Sequence, residues 1–475
     1  MVEIAIYAQV LVWLLFVGVF FTSGQASIFH PITWYLAFHG LVFVLRPILV
    51  HYFHFDSVWI YMRLAPEPED FIRTLAVSSL GLAVLFTTCL GVGRTRSGFP
   101  GGSPPAFAPA QNSALILMTI VLLPIIAYSI RAAGGDTGGE LQANGVYILT
   151  KTTGYVLDAQ FMLAPLLCLW LLKTRFHWLN LVPILIYIGY RSWCGWARWT
   201  ILLFFLTLLL QYCWYYRLRW LPVWTLVAAL PILVLFNMLG HNRGILQGYL
   251  KEGTLEGEQF NPTLGMSAEE KRKQNLDTQD FANFDYLEAV VSIVPKRTGM
   301  FTYGCQYLQL FTEPIPRILW PGKPAGAPVA FFNLNQYANF MGLTVSLVGD
   351  GWMNGGWFGV VITLGIAGLI LGLAHRSFWA RSNLPIPSML FITFLGVSPN
   401  WFRDGGISVF KFLMFTWLPL LLLPALTWLI EGRVVRGSSI LLHGGQQLRI
   451  IQAEPGCPTP PNLAKNATRS GPGCP

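Results

Sequence analysis

The stretch IAIYAQVLVWLLFVGVFFT, residues 4–22, contains no charged side chain and no proline. As a helix it would run about 28 Å, close to the roughly 30 Å hydrocarbon core of a bilayer. Runs of the same kind recur near 31–50, 71–92, 113–130, 155–172, 178–190, 199–215, 221–238, 355–374, 384–399 and 409–430. The 475-residue chain is 54% hydrophobic and only 11% charged, whereas aqueous domains run near about a quarter charged. These features predict an all-α, polytopic helical membrane protein with about eleven spans. The strand alternation of an outer-membrane barrel is absent from the sequence. No positively charged segment precedes the first span, which therefore reads as a retained helix. The sixth span is short, and the tenth carries Pro385, Pro387 and Pro399. Broken helices of this kind need other protein or a polar cavity to cover their backbone.

Orientation follows from the basic residues, because short cytoplasmic loops retain Lys and Arg. Compact pairs follow alternate spans: Arg94 and Arg96, Lys173 and Arg175, Arg217 and Arg219, Arg376 and Arg381, Arg433 and Arg436. This pattern puts the C-terminus inside and the N-terminus outside. Four regions result: a membrane bundle over 1–238, a large extracytoplasmic loop over 239–354 between spans eight and nine, C-terminal helices over 355–436, and a loose tail over 437–475. The seven cysteines show no metal-ligand spacing, and most, lying in or beside spans, read as small core residues.

The outer segments nevertheless hold many cations, which orientation cannot explain. Arg131, Arg191, Arg198, Arg243, Lys296, Arg297, Arg317, Lys323 and Arg403 lie there, several at span ends or among aromatic residues. Unpaired cations in such places are costly, so an anionic partner is expected. In RSWCGWARW, 191–199, a continuous helix would put Arg191 and Arg198 on one face, where both could reach a single ligand. The same segment also reads as a pair of interfacial anchors among tryptophans. GHNRG, 240–244, offers Arg243 to an anion, and His241 either as a proton carrier or as a helix-end hydrogen-bonding residue. In EPIPRILWPGKP, 313–324, prolines stiffen the approach to Arg317, with Trp320 and Lys323 close behind; the alternative is a loop folded back on the membrane. A rigid guanidinium suits bidentate phosphate recognition.

GDGWMNGGWFG, 349–359, sets Asp350 and Asn354 one helical turn apart; Asp350 reads either as a site residue or as a helix N-cap. NWFRDGG, 400–406, offers Arg403 and Asp404, which also read as an exposed ion pair of little energetic consequence. Glu67, Glu69 and Asp70 read as solvated charges before a span rather than a metal site. There is no Walker A loop, no dinucleotide fingerprint and no acidic motif for a metal-bound nucleotide sugar. Any chemistry must therefore draw on a pre-activated, lipid-borne substrate, with no metal and no other cofactor expected.

Pro295, Tyr303-Gly304, Tyr307 and IPRILWPGKP together resemble the late outer loop of Wzy-type oligosaccharide repeat-unit polymerases, the O-antigen and exopolysaccharide polymerases. The following GDGWMNGGWFG resembles that family's next segment, with Asp350 where a Glu is usual, Asn354 matching its Asn, and Gly355 in place of a Phe. The resemblance covers about residues 295–360. It implies a helical fold of the GT-C type and a glycosyltransferase of the bacterial inner membrane working at its periplasmic face. Such enzymes join undecaprenyl-diphosphate-linked oligosaccharides, with a chain-length regulator and a flippase acting beside them, and no nucleic acid. Carried onto this chain, the resemblance makes Asp350 or His241 the base. Arg191, Arg198, Arg243, Arg317, Lys323, Arg403, Trp320 and Asn354 then hold the substrate and its diphosphate. Two other readings fit a similar layout: an O-antigen ligase that transfers the glycan to lipid A core, and a lipid-linked oligosaccharide flippase or polysaccharide transporter.

Overall fold

The computed structural model describes residues 1–65, 67–95, 108–134, 139–141, 147–149, 154–194, 198–223, 225, 282–312, 315, 319–320, 332–340 and 344–441. The chain divides into a compact unit, Met1–Trp428, and a second unit, Leu429–Pro475, which is helical through Leu441.

The described chain is mainly helical. Its helices are α1 (Val2–Thr22), α2 (Pro31–His39), α3 (Arg46–Phe53), α4 (Ser57–Met62), α5 (Pro68–Gly93), α6 (Pro109–Gly134) and α7 (Gly154–Asp158). Then follow α8 (Leu163–Lys173), α9 (Leu181–Cys194), α10 (Arg198–Tyr215), α11 (Asn283–Ile293), α12 (Gln309–Thr312), α13 (Ser346–Ala380), α14 (Pro385–Asp404) and α15 (Gly406–Leu441). A short antiparallel hairpin pairs Gly139–Leu141 with Tyr147–Leu149. Among the described residues, seven helical stretches are long and apolar enough to cross a membrane: Val2–Thr22, Pro31–Phe53, Pro68–Gly93, Pro109–Ala133, Tyr155–Lys173, Ser346–Ala380 and Val409–Gly432. Helices α9, α10 and α14 occupy three further stretches expected from the sequence, and most of 221–238 lies outside the described residues.

Three of these stretches are not plain helix, and in the fifth α7 joins α8 through a 3-10 turn, Ala159–Met162. The second passes from α2 into a π-helical turn, Gly40–Leu45, before continuing as α3. Such turns widen the helix locally. Gly40 is needed there, since a Cβ would sit 2.8 Å from the Trp13 ring. Helix α13 kinks at Gly355 and Gly356. Gly356 has φ 60°, a left-handed conformation that favours glycine. The first two turns of α13 thus point differently from the long apolar segment that follows.

Helices α5 and α13 form the closest pairing. A Cβ on Gly368 would stand 2.8 Å from the Leu85 carbonyl oxygen, and one on Gly372 2.8 Å from that of Cys89. Small residues allow membrane helices to approach this closely and gain van der Waals contact. Cys89, Cys168 and Cys213 are buried, as expected of small core residues, whereas Cys305 in the long loop is exposed.

The region expected to be a large outer loop contains an element the sequence did not announce. All but one residue of α11 is buried, and the helix packs against α5, α13 and the π turn. Its 11 residues are too few to span a bilayer, but their burial allows a short helix to sit inside the protein.

Candidate functional site

Asp350 and Asn354 do share a face of α13, and both meet the same loop. Asn354 Oδ1 accepts from the Thr302 hydroxyl at 2.7 Å and from the Gly304 N–H at 3.0 Å. The Thr302 N–H donates to the Met353 carbonyl at 2.8 Å. One turn earlier, Asp350 Oδ1 accepts from the Gln306 amide, and Oδ2 accepts from the Tyr307 hydroxyl at 2.7 Å. Oδ2 also accepts from the Gly406 N–H at 3.1 Å, at the start of α15. The loop reaches these acceptors through left-handed residues at Tyr303 and Gly304, which turn the chain back onto α13.

Asp350 is therefore a helix cap, but for a different helix. Its own helix begins at Ser346, with Val345 at the cap position. Its side chain instead sits at the N-terminus of α15, where free backbone N–H groups need an acceptor. Gly405 makes the approach possible: its φ is 84°, and a Cβ there would lie 3.4 Å from the Asp350 side chain. The carboxylate is 2% exposed and enclosed by donors. Burial, and then the neighbouring Asp350 charge, raise the pKa of the Tyr307 phenol well above its ordinary value, so it remains a donor.

The remaining expected site residues are spread more widely. Arg191, in the last turn of α9, is 1% exposed and donates to the Ile130 carbonyl of α6 at 3.3 Å. Arg198 begins α10, and residues 195–197 between the two helices lie outside the described residues. Arg403 bonds Asp404 at 3.1 Å, but this is not the exposed pair expected, since the two side chains are only 12% and 17% exposed. Asn283 of α11 secures this corner, donating to the Arg403 carbonyl at 2.9 Å and the Thr344 carbonyl at 2.8 Å. Trp320 is 39% exposed. His241, Arg243, Arg317 and Lys323 lie outside the described residues.

A second polar cluster joins residues that the sequence did not link to one another. Arg46, just past the π turn, meets Asp285 of α11 at 2.8 Å, with both side chains fully buried. Asp70 was expected to be solvated. It is buried instead, and it holds Lys296 at 2.6 Å and Arg73 at 3.2 Å. Lys296, expected to await an external anion, thus finds its partner within the chain. Glu288 lies one turn beyond Asp285, 1% exposed, and neither carboxylate oxygen has a hydrogen-bond partner among the described residues. Burial first, then the charges of Asp285 and Asp70, push its pKa well above the usual carboxylate range, so it is held neutral. The available signals were Arg46 within an apolar span and the i, i+3 acids of NFDYLEAVVSI.

Among the described residues, no group of three His, Cys, Asp or Glu side chains is arranged to hold a metal ion. The Asp350 junction can fix a loop rigidly against two helices. The Arg46 cluster can hold a short helix inside the bundle. Set against known protein families, curated proteins and solved structures, the chain matches none of them.

Proposed function

We propose that this chain is a membrane glycosyltransferase that polymerises undecaprenyl-diphosphate-linked oligosaccharide repeat units, with the diphosphate lipid as leaving group. One observation carries the reading. The two segments that resemble repeat-unit polymerases, around 295–324 and 349–359, are tied together through Asp350 and Asn354. The full proposal includes about eleven spans of GT-C type, a bacterial inner membrane, and an active site on its periplasmic face.

In this reading an acceptor hydroxyl attacks the anomeric carbon of the donor sugar as the bond to the diphosphate oxygen breaks. Charge grows on the departing diphosphate, and preorganised cations there lower the barrier. Arg317 and Lys323, with Arg243 and Arg198, meet that charge, and Trp320 offers a ring to a sugar face. Arg191 and Arg403 support from within the protein, given their carbonyl and Asp404 partners. A general base needs hydrogen-bond reach to the acceptor hydroxyl. Asp350 is occupied by three donors, so it positions the loop, and His241 takes the proton.

Purified protein incubated with its host's undecaprenyl-diphosphate repeat unit, without nucleotide, should yield a ladder rising by whole repeat units. A single transfer that appears only on adding lipid A core would replace polymerase with ligase. Movement of the substrate across vesicles without any product would replace it with a transporter. Arg317→Lys keeps the charge but loses the planar fork. It should slow ladder formation about 100-fold, the cost of one lost transition-state donor.

A further inference from the structure

Two segments, one at the end of α4 and one within the 239–354 region expected to be an outer loop, enclose a cleft of about 400 Å³. One wall is Met62 and Arg63 at the end of α4; the other includes Asn335, Gln336, Tyr337 and Asn339. A cleft of that volume lies within the range of small-molecule sites, roughly 300–1,000 Å³.

Both walls are built rather than accidental. Arg63 and Asn333 adopt left-handed conformations, with φ 55° and 49°, that turn each wall. The Asn339 N–H donates to the Met62 carbonyl at 2.9 Å and joins them. The Tyr337 hydroxyl donates to the Arg297 carbonyl at 3.2 Å, and the Phe340 N–H donates to Asn335 Oδ1 at 3.2 Å. Leu334 and Phe340 anchor the segment from beneath; Phe340 meets the Tyr286 ring of α11 edge-on at 5.0 Å.

The lining chemistry selects a ligand class. Three side-chain amides line it, and amides carry the donors and acceptors that sugar hydroxyls match; Asn335 Oδ1 also accepts from the Phe340 N–H, and Gln336 Oε1 from the Asn333 amide at 3.4 Å. Tyr337 adds an aromatic ring with a polar tip. Among the described residues no carboxylate lines the cleft and Arg63 is the one cation that does, too little for a diphosphate, which calls for convergent Arg or Lys side chains. The walls are also too polar for a lipid tail.

We propose that this cleft is a carbohydrate-binding subsite that takes the glycan part of a ligand and not its phosphate. That the glycan belongs to a lipid-linked oligosaccharide rests on the glycosyltransferase reading above. The cleft itself does not.

The test uses the full chain in detergent and, as probe, oligosaccharides released by mild acid from the host's surface polysaccharide. Binding is followed by saturation-transfer NMR and titration. Arg63 and Gln336 are both exposed, so the double variant Arg63→Ala, Gln336→Ala should fold. It should weaken oligosaccharide binding at least about 10-fold, the effect of losing roughly 1.4 kcal/mol of contacts. No saturation transfer in the wild type, or equal binding by the variant, overturns the subsite. So does inorganic pyrophosphate displacing the sugar from the wild type but not the variant, because the cleft would then be an anion site. The ladder assay separates the two ideas. Lost binding in the variant, with no ladder from the wild type, keeps the subsite and removes the polymerase. A ladder formed with unchanged acceptor KM and unchanged binding in the variant keeps the polymerase and removes the subsite.

Discussion

At Asp350 the donors come from nearby in the chain: Tyr307 and Gln306 lie 43 and 44 residues before it, and Gly406 56 residues after. At Asp285 the guanidinium comes from Arg46, 239 residues away, across the bundle. Both carboxylates are buried, yet they sit in different surroundings. Asp350 is enclosed by an amide, a hydroxyl and a helix N-terminus, and it fixes a loop. Asp285 draws a cation through the core and fixes a helix. Next to it Glu288 is buried without a hydrogen-bond donor among the described residues. The difference shows how burial can serve either rigidity or neutrality: donors fix the direction of a buried carboxylate, whereas one without them is driven toward its neutral form.

The largest effect should come from breaking the long-range pair. Arg46→Ala leaves Asp285 buried without its guanidinium, a loss of about 3–5 kcal/mol. Thermal melting in detergent should show much less folded protein, and replacing both residues with Leu or Met should recover most of it. A melt unchanged by Arg46→Ala would mean that α11 is held by apolar packing alone.

A middle effect is expected at the other cluster. Tyr307→Phe removes one donor from a buried acceptor, a cost of about 1–3 kcal/mol. Because the donors are local, the loss should show as faster amide exchange over 302–308 more than as global unfolding. Exchange that is faster throughout α5 and α13 would erase the contrast between the two clusters.

The smallest effect should have the opposite sign. Glu288 has a raised pKa in the fold, so the native state holds a proton that the unfolded chain releases. Its contribution is complete below the ordinary carboxylate range and is lost as pH rises through the raised value. Glu288→Gln cannot ionise, so its melting temperature should fall less than the wild type's as pH rises above the ordinary carboxylate range. Parallel melting curves would show that Glu288 is ionised in the fold.

The apolar runs at 4–22, 31–50 and 71–92 could be read directly, because a span must satisfy its backbone internally and hide its charges. The pairing of Asp350 with Asn354 was also legible, since their four-residue spacing is a property of any helix. That Asp350 caps α15 was not, because the cap depends on a turn at Gly405 brought in from another segment. Asp70 looked like a solvated charge beside Glu67 and Glu69. Its burial follows from Lys296, which no local pattern links to it.

Sequence alone determined that this chain is a helical membrane protein and where most of its helices lie. Both follow from local chemistry: runs of apolar side chains, and prolines and glycines that interrupt them. Only the tertiary structure decided that α11 sits inside the bundle, that Arg46 and Lys296 have partners within the chain, and that Arg63 faces the 335–339 segment across a cleft. Those outcomes depend on which distant groups meet, and a buried charge is stabilised or neutralised only by the neighbours the fold brings to it.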